Sequence, residues 1–211
     1  MPAETVIEVE RLDAGYGDTP ILENISFSVQ KGEVFVILGG SGCGKSTLLK
    51  HMIGLTPPLR GEVRILGDNI SGGTEAERKR ATRHFGVTYQ SGALFGSMTL
   101  LENVCLPLEA FTDLPRDARN LVAEMKLDLV GLRSYASFFP AEISGGMKKR
   151  AAIARAMALE PSILFPDEPS AGLDPVTSAE LDRLVLRLRE KQGITFVIVT
   201  HELASIFAVA D

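Results

Sequence analysis

The chain has 211 residues, enough for one large domain or two small ones with a substantial core. Its apolar fraction of 45% and charged fraction of 23% are those of a folded globular chain, with no stretch near the ~20 apolar residues that a bilayer-spanning helix needs. A net charge of −5 argues against bulk electrostatic binding to nucleic acid, and two cysteines, Cys43 and Cys105, supply no disulfide framework and point to a reducing compartment.

In chain order the first elements are strands. Ile7-Glu-Val-Glu-Arg-Leu12 alternates apolar and polar residues, as does Ile25-Ser-Phe-Ser-Val29, and each reads as a half-buried strand. Lys31-Gly32 turns the chain into Glu33-Val-Phe-Val-Ile-Leu38, a continuous apolar run of the kind buried on both faces of a parallel sheet. Glycine-rich residues 39–46 follow, and Thr47-Leu-Leu-Lys-His-Met-Ile53 then reads as a helix. Gly61-Glu-Val-Arg-Ile-Leu-Gly67 predicts a further short strand between turn residues. Residues 74–84 mix both charge signs and predict a solvated helix rather than a nucleic-acid patch.

Phe85-Gly-Val-Thr-Tyr89 returns to strand character and ends at Gln90; the segment from Ser91 to Ala158 reads as largely helical. Within it Thr99 and Glu102 have capping-box spacing, Pro115 can open a helix, and Ser144 can cap one beginning near Met147. Ile163-Leu-Phe165 and Thr195-Phe-Val-Ile-Val-Thr200 predict buried strands. Between them Asp174-Pro175 starts a helix, Leu181, Leu184, Val185 and Leu188 form its apolar stripe, and Gly193 follows its end. The pattern is a small antiparallel layer beside a parallel α/β core, interrupted by a helical insert.

Residues 39–46, Gly39-Gly40-Ser41-Gly42-Cys43-Gly44-Lys45-Ser46, match the G-x-x-x-x-G-K-S phosphate-binding loop in the strand–loop–helix setting it requires. Glycines let successive N–H groups turn inward around phosphate oxygens, and the helix beginning at Thr47 adds its positive end. Lys45 is expected to reach the β- and γ-phosphates and the Ser46 hydroxyl to ligate Mg²⁺, so the ligand is a nucleoside triphosphate. Downstream, Asp167 and Glu168 follow the apolar run Ile163-Leu-Phe-Pro166. An acidic residue at a strand end beside a phosphate loop can hold Mg²⁺, and an adjacent glutamate can orient or deprotonate water. Taken alone, such a pair is equally a loop cap.

Gln90 after one strand, His201 after another and Ser144-Gly145-Gly146 opening a helix complete a set that resembles the nucleotide-binding domain of ABC transporters over essentially the whole chain. The resemblance implies an α/β fold: a P-loop NTPase of ABC type with a RecA-like parallel core, an antiparallel β layer and a helical subdomain. In that division residues 1–90 hold the β layer and first part of the core, 91–158 the helical subdomain, and 159–211 the rest of the core. It implies Gln90 near Mg²⁺ and the water, Asp167 on Mg²⁺, Glu168 as the catalytic carboxylate and His201 at the γ-phosphate. Ser144, Gly145 and Gly146 become the signature motif, Asp174 closes the D-loop, and Tyr16 either stacks on adenine or packs in the core. ATP and Mg²⁺ are the implied cofactors. The implied partners are a second copy, head to tail around two ATP molecules, and a membrane permease, with no nucleic acid. The implied place is the cytoplasmic face of the inner membrane.

Met147, Gln90-Ser-Gly-Ala-Leu-Phe95 and Thr99-Leu-Leu-Glu-Asn-Val104 further resemble the ATPases of Mla-type and mammalian-cell-entry phospholipid-trafficking systems. Leu94, Phe95 and Met98 are then expected to border a groove for the permease. The alternatives are a non-transport ABC ATPase acting on nucleic acid, which the short, proline-containing stretch from Gln90 to Ser144 disfavours, and a soluble factor for iron–sulfur assembly. Two departures stand out. Pro166 cannot donate to a ladder and predicts that its strand leaves regular pairing there. The chain stops at Asp211, inside a predicted helix where the family continues, so the resemblance implies either a fragment or a shortened product.

Overall fold

The computed structural model describes residues 4–210. Strands β1 (Thr5–Tyr16) and β2 (Thr19–Gln30) form a long hairpin, and β3 (Val34–Leu38) leads through the glycine loop into helix α1 (Lys45–Met52). Next come β4 (Arg60–Ile65), β5 (Asp68–Asn69), α2 (Glu75–Ala81) and β6 (Phe85–Thr88). The helical stretch contains α3 (Leu100–Phe111), α4 (Arg116–Leu129) and α5 (Gly145–Ala156). The chain then continues through β7 (Ile163–Pro166), α6 (Pro175–Gln192), β8 (Thr195–Thr200) and α7 (Leu203–Val209).

Two sheets result, one antiparallel in the order β2-β1-β4-β5 and one parallel in the order β3-β8-β7-β6. β1 bulges where Arg11 takes φ 45°, and Gly61 of β4 passes so close that a Cβ there would lie 2.3 Å from the Arg11 carbonyl oxygen. Only glycine fits that approach.

The parallel strands divide the core by their period of two. Ile163, Phe165, Val197 and Val199 face α1 and the apolar side of β1, packing with Leu49, Met52, Ile7 and Leu12. Leu164, Phe196 and Ile198 face the other way, into a cluster with Ile153, Leu181, Leu184, Leu100 and Leu127 from the helices. The caps form as expected. Thr99 and Glu102 make a reciprocal capping box on α3, Asp174 accepts from Val176 and Thr177 on α6, and Gly193 ends α6 in the left-handed region. Ser144 caps α5, which begins at Gly145 rather than near Met147.

The expected break in pairing at Pro166 occurs on one side only. Toward β6, Pro166 pairs with Thr88, and the Asp167 N–H donates to the Thr88 carbonyl at 2.9 Å. Toward β8, the ladder stops at Leu164 opposite Phe196 and resumes as a single bridge between Asp167 and Val199. Alternate N–H groups of a parallel strand point to opposite neighbours, so the missing proline donor falls on the β8 side.

The consequence for function is positional. β3, β6, β7 and β8 run the same way, so the residues that follow their C-terminal ends leave from one edge of the sheet. Those residues are the glycine loop, Gln90, Asp167-Glu168 and His201, and this edge is where open α/β sheets bind ligands.

Candidate functional site

The loop begins at Gly39, where a Cβ would lie 2.4 Å from Cys43 Sγ, and it turns through Gly42 (φ 79°) and Gly44 (φ 100°) into the first turn of α1. Lys45 is 8% exposed. Its Nζ donates to the carbonyls of Gly39 at 2.8 Å and Gly40 at 3.0 Å, and lies 3.6 Å from Glu168 Oε1. A buried ammonium thus sits between the loop and the carboxylate at the end of β7. Ser41, Gly42, Cys43 and Ser46 are exposed around it.

Glu168 is held in the left-handed region at φ 49°, a conformation that costs a non-glycine residue about 1–3 kcal/mol. Its N–H donates to the Val199 carbonyl at 2.8 Å, which anchors it across the sheet. His201 Nδ1 lies 2.7 Å from Glu168 Oε2 without hydrogen-bond alignment, so that buried oxygen has no hydrogen-bond partner among the described residues. Asp167 Oδ1 is buried without a partner as well. Burial, and then the neighbouring Glu168, push the Asp167 carboxyl above the ordinary range, against the pull of Lys45, Lys149 and Lys50.

A carboxylate oxygen buried without a donor is where a cation fits. The expected Mg²⁺ donors, the Ser46 hydroxyl, the Gln90 amide and Asp167, are all hard oxygen ligands. Among the described residues no group of three His, Cys, Asp or Glu side chains could hold a metal. Mg²⁺ is commonly held by one or two carboxylates together with phosphates and water. Gln90 and Asp167 line one cleft of about 550 Å³ with Tyr89, Ser91, Ala171 and Gly172.

Tyr16, at the end of β1, is 50% exposed, so it is not a core residue. The Thr47 hydroxyl and the Lys50 ammonium each donate to its Oη at 3.3 Å, and Lys50 Nζ also lies 5.6 Å from the ring centroid. The Thr47 bond first, then Lys50, lowers the phenol's pKa. The ring is tethered beside the phosphate loop with half its surface open. Beneath it, buried His51 accepts from the Gly15 N–H at 3.1 Å through Nε2, while Nδ1 lies 2.9 Å from the Thr56 carbonyl.

The structure does not bring every expected residue to this edge. The near neighbours of Gly145 and Gly146 are Leu173 and Thr177. A Cβ on Gly146 would lie 2.3 Å from Thr177 Cγ2, so glycine is required for α5 to meet α6. Ser144 accepts from the Met147 N–H at 3.3 Å. Asp174 accepts from the Val176 and Thr177 N–H groups at 3.0 and 3.1 Å, and chiefly the Thr177 bonds hold its carboxyl below the usual range. Sequence reading missed three residues. They are His51 under Tyr16, Asn103, whose amide clasps the 95–99 loop, and Lys149, which links the Gln90 and Glu168 main chains. In the sequence His51 and Asn103 interrupt otherwise apolar helix faces, which could have signalled those two, while nothing in it singles out Lys149.

Cys43 is exposed within the loop, whereas Cys105 is buried. Alkylation of Cys43 is expected to block nucleotide binding, and ATP is expected to protect the thiol. Mass-spectrometric labelling of a Cys105→Ala variant checks this; equal labelling with and without ATP would count against it.

Comparison with known proteins agrees with this geometry. The family model for ABC transporter matches residues 22–171. The chain is 43% identical over 212 residues to the "Probable ribonucleotide transport ATP-binding protein mkl" of Mycobacterium leprae, covering all of this chain and 61% of that protein. It is 38% identical over 208 residues to the "Intermembrane phospholipid transport system ATP-binding protein MlaF" of Haemophilus influenzae, covering 99% of this chain and 79% of that protein. Among solved structures, the dimeric bacterial ABC transporter cassette MJ0796 superposes with a TM-score of 0.85 at 32% identity, covering 96% of this chain and 90% of that one. With the phosphate loop, the paired carboxylates and the histidine on one sheet edge, and the family match spanning most of the sequence, the chain belongs to the ABC transporter family.

Proposed function

We propose that this chain is the ATP-binding and ATP-hydrolysing subunit of an ABC transporter that moves phospholipid between envelope membranes. The observation that carries the ATPase reading is the meeting of Lys45, Glu168 and His201, with 3.6 Å between the first two and 2.7 Å between the last two. The loop N–H groups and Lys45 take the phosphates, Tyr16 takes the adenine face, and Ser46, Gln90 and Asp167 hold Mg²⁺. Bound there by Ser46, Gln90 and Asp167, a magnesium ion would supply positive charge to offset the charge on the phosphates. Glu168 accepts a proton from water as that water bonds to the γ-phosphorus. The bond from the γ-phosphorus to the β–γ bridging oxygen breaks, ADP leaves with the electron pair, and His201 steadies the γ-phosphate. Positioning and charge supply most of the acceleration. ATP turnover by the purified assembly, and its loss when Glu168 is changed, test this.

Gly145 and Gly146 face Leu173, just before α6, and Thr177 in its first turn, and this placement suits a site completed by a second copy, head to tail. The division at residues 90 and 158 goes with the same reading. Among the described residues no helix is long and apolar enough to cross a membrane. The likeness to transport ATP-binding proteins supports a peripheral position under a permease, on the cytoplasmic face. The phospholipid reading rests on the likeness to MlaF, while the mkl relatives carry the name of ribonucleotide transport. ATP-driven transfer of labelled phospholipid, set against labelled ribonucleotide, separates the two.

A groove of about 910 Å³ between α3 and α4, lined by Met98, Cys105, Leu106, Arg119 and Asn120, is the proposed permease seat. Phe95 is 56% exposed, Met98 is half-buried and lines the groove, and Leu94 packs into the helical core. Asn103 holds this loop by its main chain, accepting from the Phe95 N–H at 2.8 Å and donating to the Phe95 and Met98 carbonyls at 3.1 Å. Side-chain changes therefore leave the loop folded. Phe95→Ala and Met98→Asp are expected to reduce permease recovery in pull-downs about tenfold, with ATP affinity unchanged. Normal recovery by both variants would refute the seat.

A further inference from the structure

Helix α5 carries a contact that the proposed chemistry does not use. Lys149 Nζ donates to the main-chain carbonyl of Gln90 at 2.5 Å and to that of Glu168 at 3.0 Å. One side chain therefore joins α5 to the loop after β6 and to the loop after β7. Further along α5, Arg155 donates to the carbonyls of Ala93 at 2.7 Å and Gly92 at 3.0 Å. Gly92 and Ala93 lie in the left-handed region at φ 76° and 47°, and a Cβ on Gly92 would lie 3.7 Å from the Ala152 Cβ. The loop after β6 is thus strapped along α5 at two places, and Lys149 extends the strap to Glu168.

Those partners are not incidental. Gln90 and Glu168 are the residues assigned to the metal and the attacking water. Glu168 sits in a strained backbone conformation that must be held from outside. Its N–H is fixed by Val199 on one side, and its carbonyl accepts from the Ala171 N–H at 3.2 Å within the loop and from Lys149 at 3.0 Å, the bond that ties it to α5. A lysine suits the task, because an ammonium on a flexible stem has three donors and can satisfy two carbonyls at once. Its burial lowers the ammonium's pKa, while Glu168, Glu202 and Asp167 pull it back up, so charge complementarity offsets part of the desolvation.

We propose that Lys149 is a positioning residue that sets the Gln90 and Glu168 main chains in register and makes their placement depend on α5. The N-terminus of α5 is Ser144–Gly146, the segment read above as touching the nucleotide of the second copy. A shift of α5 on nucleotide contact is then transmitted through Lys149 to the hydrolytic carboxylate of the same chain. The inference rests on the ATPase reading, and its test separates the two.

The assay uses the full chain purified within its membrane assembly, with ATP turnover and fluorescent-nucleotide affinity read in parallel. Lys149→Met keeps the stem and removes the donors. It is expected to lower kcat about 30-fold, the scale of an ångström-size misplacement, with nucleotide affinity within about twofold of wild type. Lys149→Arg is expected to recover most of the turnover, and Lys149→Gln, with a shorter neutral donor, to fall between. In a Glu168→Gln background, Lys149→Met is expected to add almost nothing, because both act on one step. Wild-type turnover by Lys149→Met, beside an inactive Glu168→Gln, overturns the inference and leaves the ATPase reading standing. Loss of nucleotide affinity together with kcat in both Met and Gln variants also overturns it, since that is the mark of a purely structural residue. Wild-type turnover by Glu168→Gln removes Glu168 from the mechanism and overturns the inference with it, whereas absence of ATP turnover by the wild-type assembly overturns the ATPase reading itself.

Discussion

Glu168→Gln is expected to lower ATP turnover about 1,000-fold while ATP affinity is kept or tightened, the scale at which a positioned general base contributes. Glutamine preserves the shape of the side chain against His201 and Lys45 but cannot accept the proton released by water. Glu168 Oε2 is buried with no hydrogen-bond partner among the described residues, so its accepting capacity is free for water. Removing its charge also removes one repulsive group beside an incoming γ-phosphate, which is why affinity does not fall. With hydrolysis stalled, the proposed sandwich of two copies has no step that opens it. Gel filtration with ATP and Mg²⁺ is expected to show a persistent dimer, and phosphate release gives the rate. A variant that hydrolyses at the wild-type rate would remove Glu168 from the mechanism.

Lys45→Ala is expected to fail one step earlier. The ammonium is buried at the focus of the loop, bonded to the Gly39 and Gly40 carbonyls and facing Glu168. A hydrogen bond to a charged group contributes about 1.5–3 kcal/mol, so loss of the contact to phosphate weakens ATP binding by about 100-fold, and turnover falls with it. Truncation also leaves the Glu168 carboxylate buried beside His201 without its cation, and thermal stability is expected to drop. Titration with a fluorescent ATP analogue, with melting followed in parallel, distinguishes lost binding from lost folding. Wild-type affinity in a folded Lys45→Ala protein would refute the phosphate role of the loop. Against Glu168→Gln the contrast is qualitative, because one variant binds without turning over and the other does not bind.

The phosphate loop was legible because its information is contiguous. Glycines, lysine and serine lie within one octet, and the strand and helix flanking it follow from local pattern. The caps were legible for the same reason. Thr99 with Glu102, Asp174 with Pro175, and Ser144 before α5 each act within three or four residues of themselves. The resemblance carried Gln90, Asp167, Glu168 and His201 as an ordered set, yet no spacing in the chain says that they meet. Leu94, Phe95 and Met98 formed one apolar group in sequence; in the fold Leu94 joins the core, Met98 is half-buried and Phe95 stays exposed.

By itself, then, the amino-acid sequence determined the elements, their caps and the phosphate loop, because each depends on residues close along the chain. Only the tertiary structure decided which strand ends coincide. The parallel register of Leu38 with Thr200, and of Thr88 with Pro166, brings loops 162 and 78 residues apart to one sheet edge. It decided too that Pro166 breaks the ladder toward β8 and not toward β6, because the direction of a missing N–H depends on which neighbour that residue faces. Lys149 was invisible for a related reason. Its partners are main-chain carbonyls, which every residue possesses, so no side-chain identity at Gln90 or Glu168 could announce the contact. Folding alone places those oxygens within reach of one ammonium.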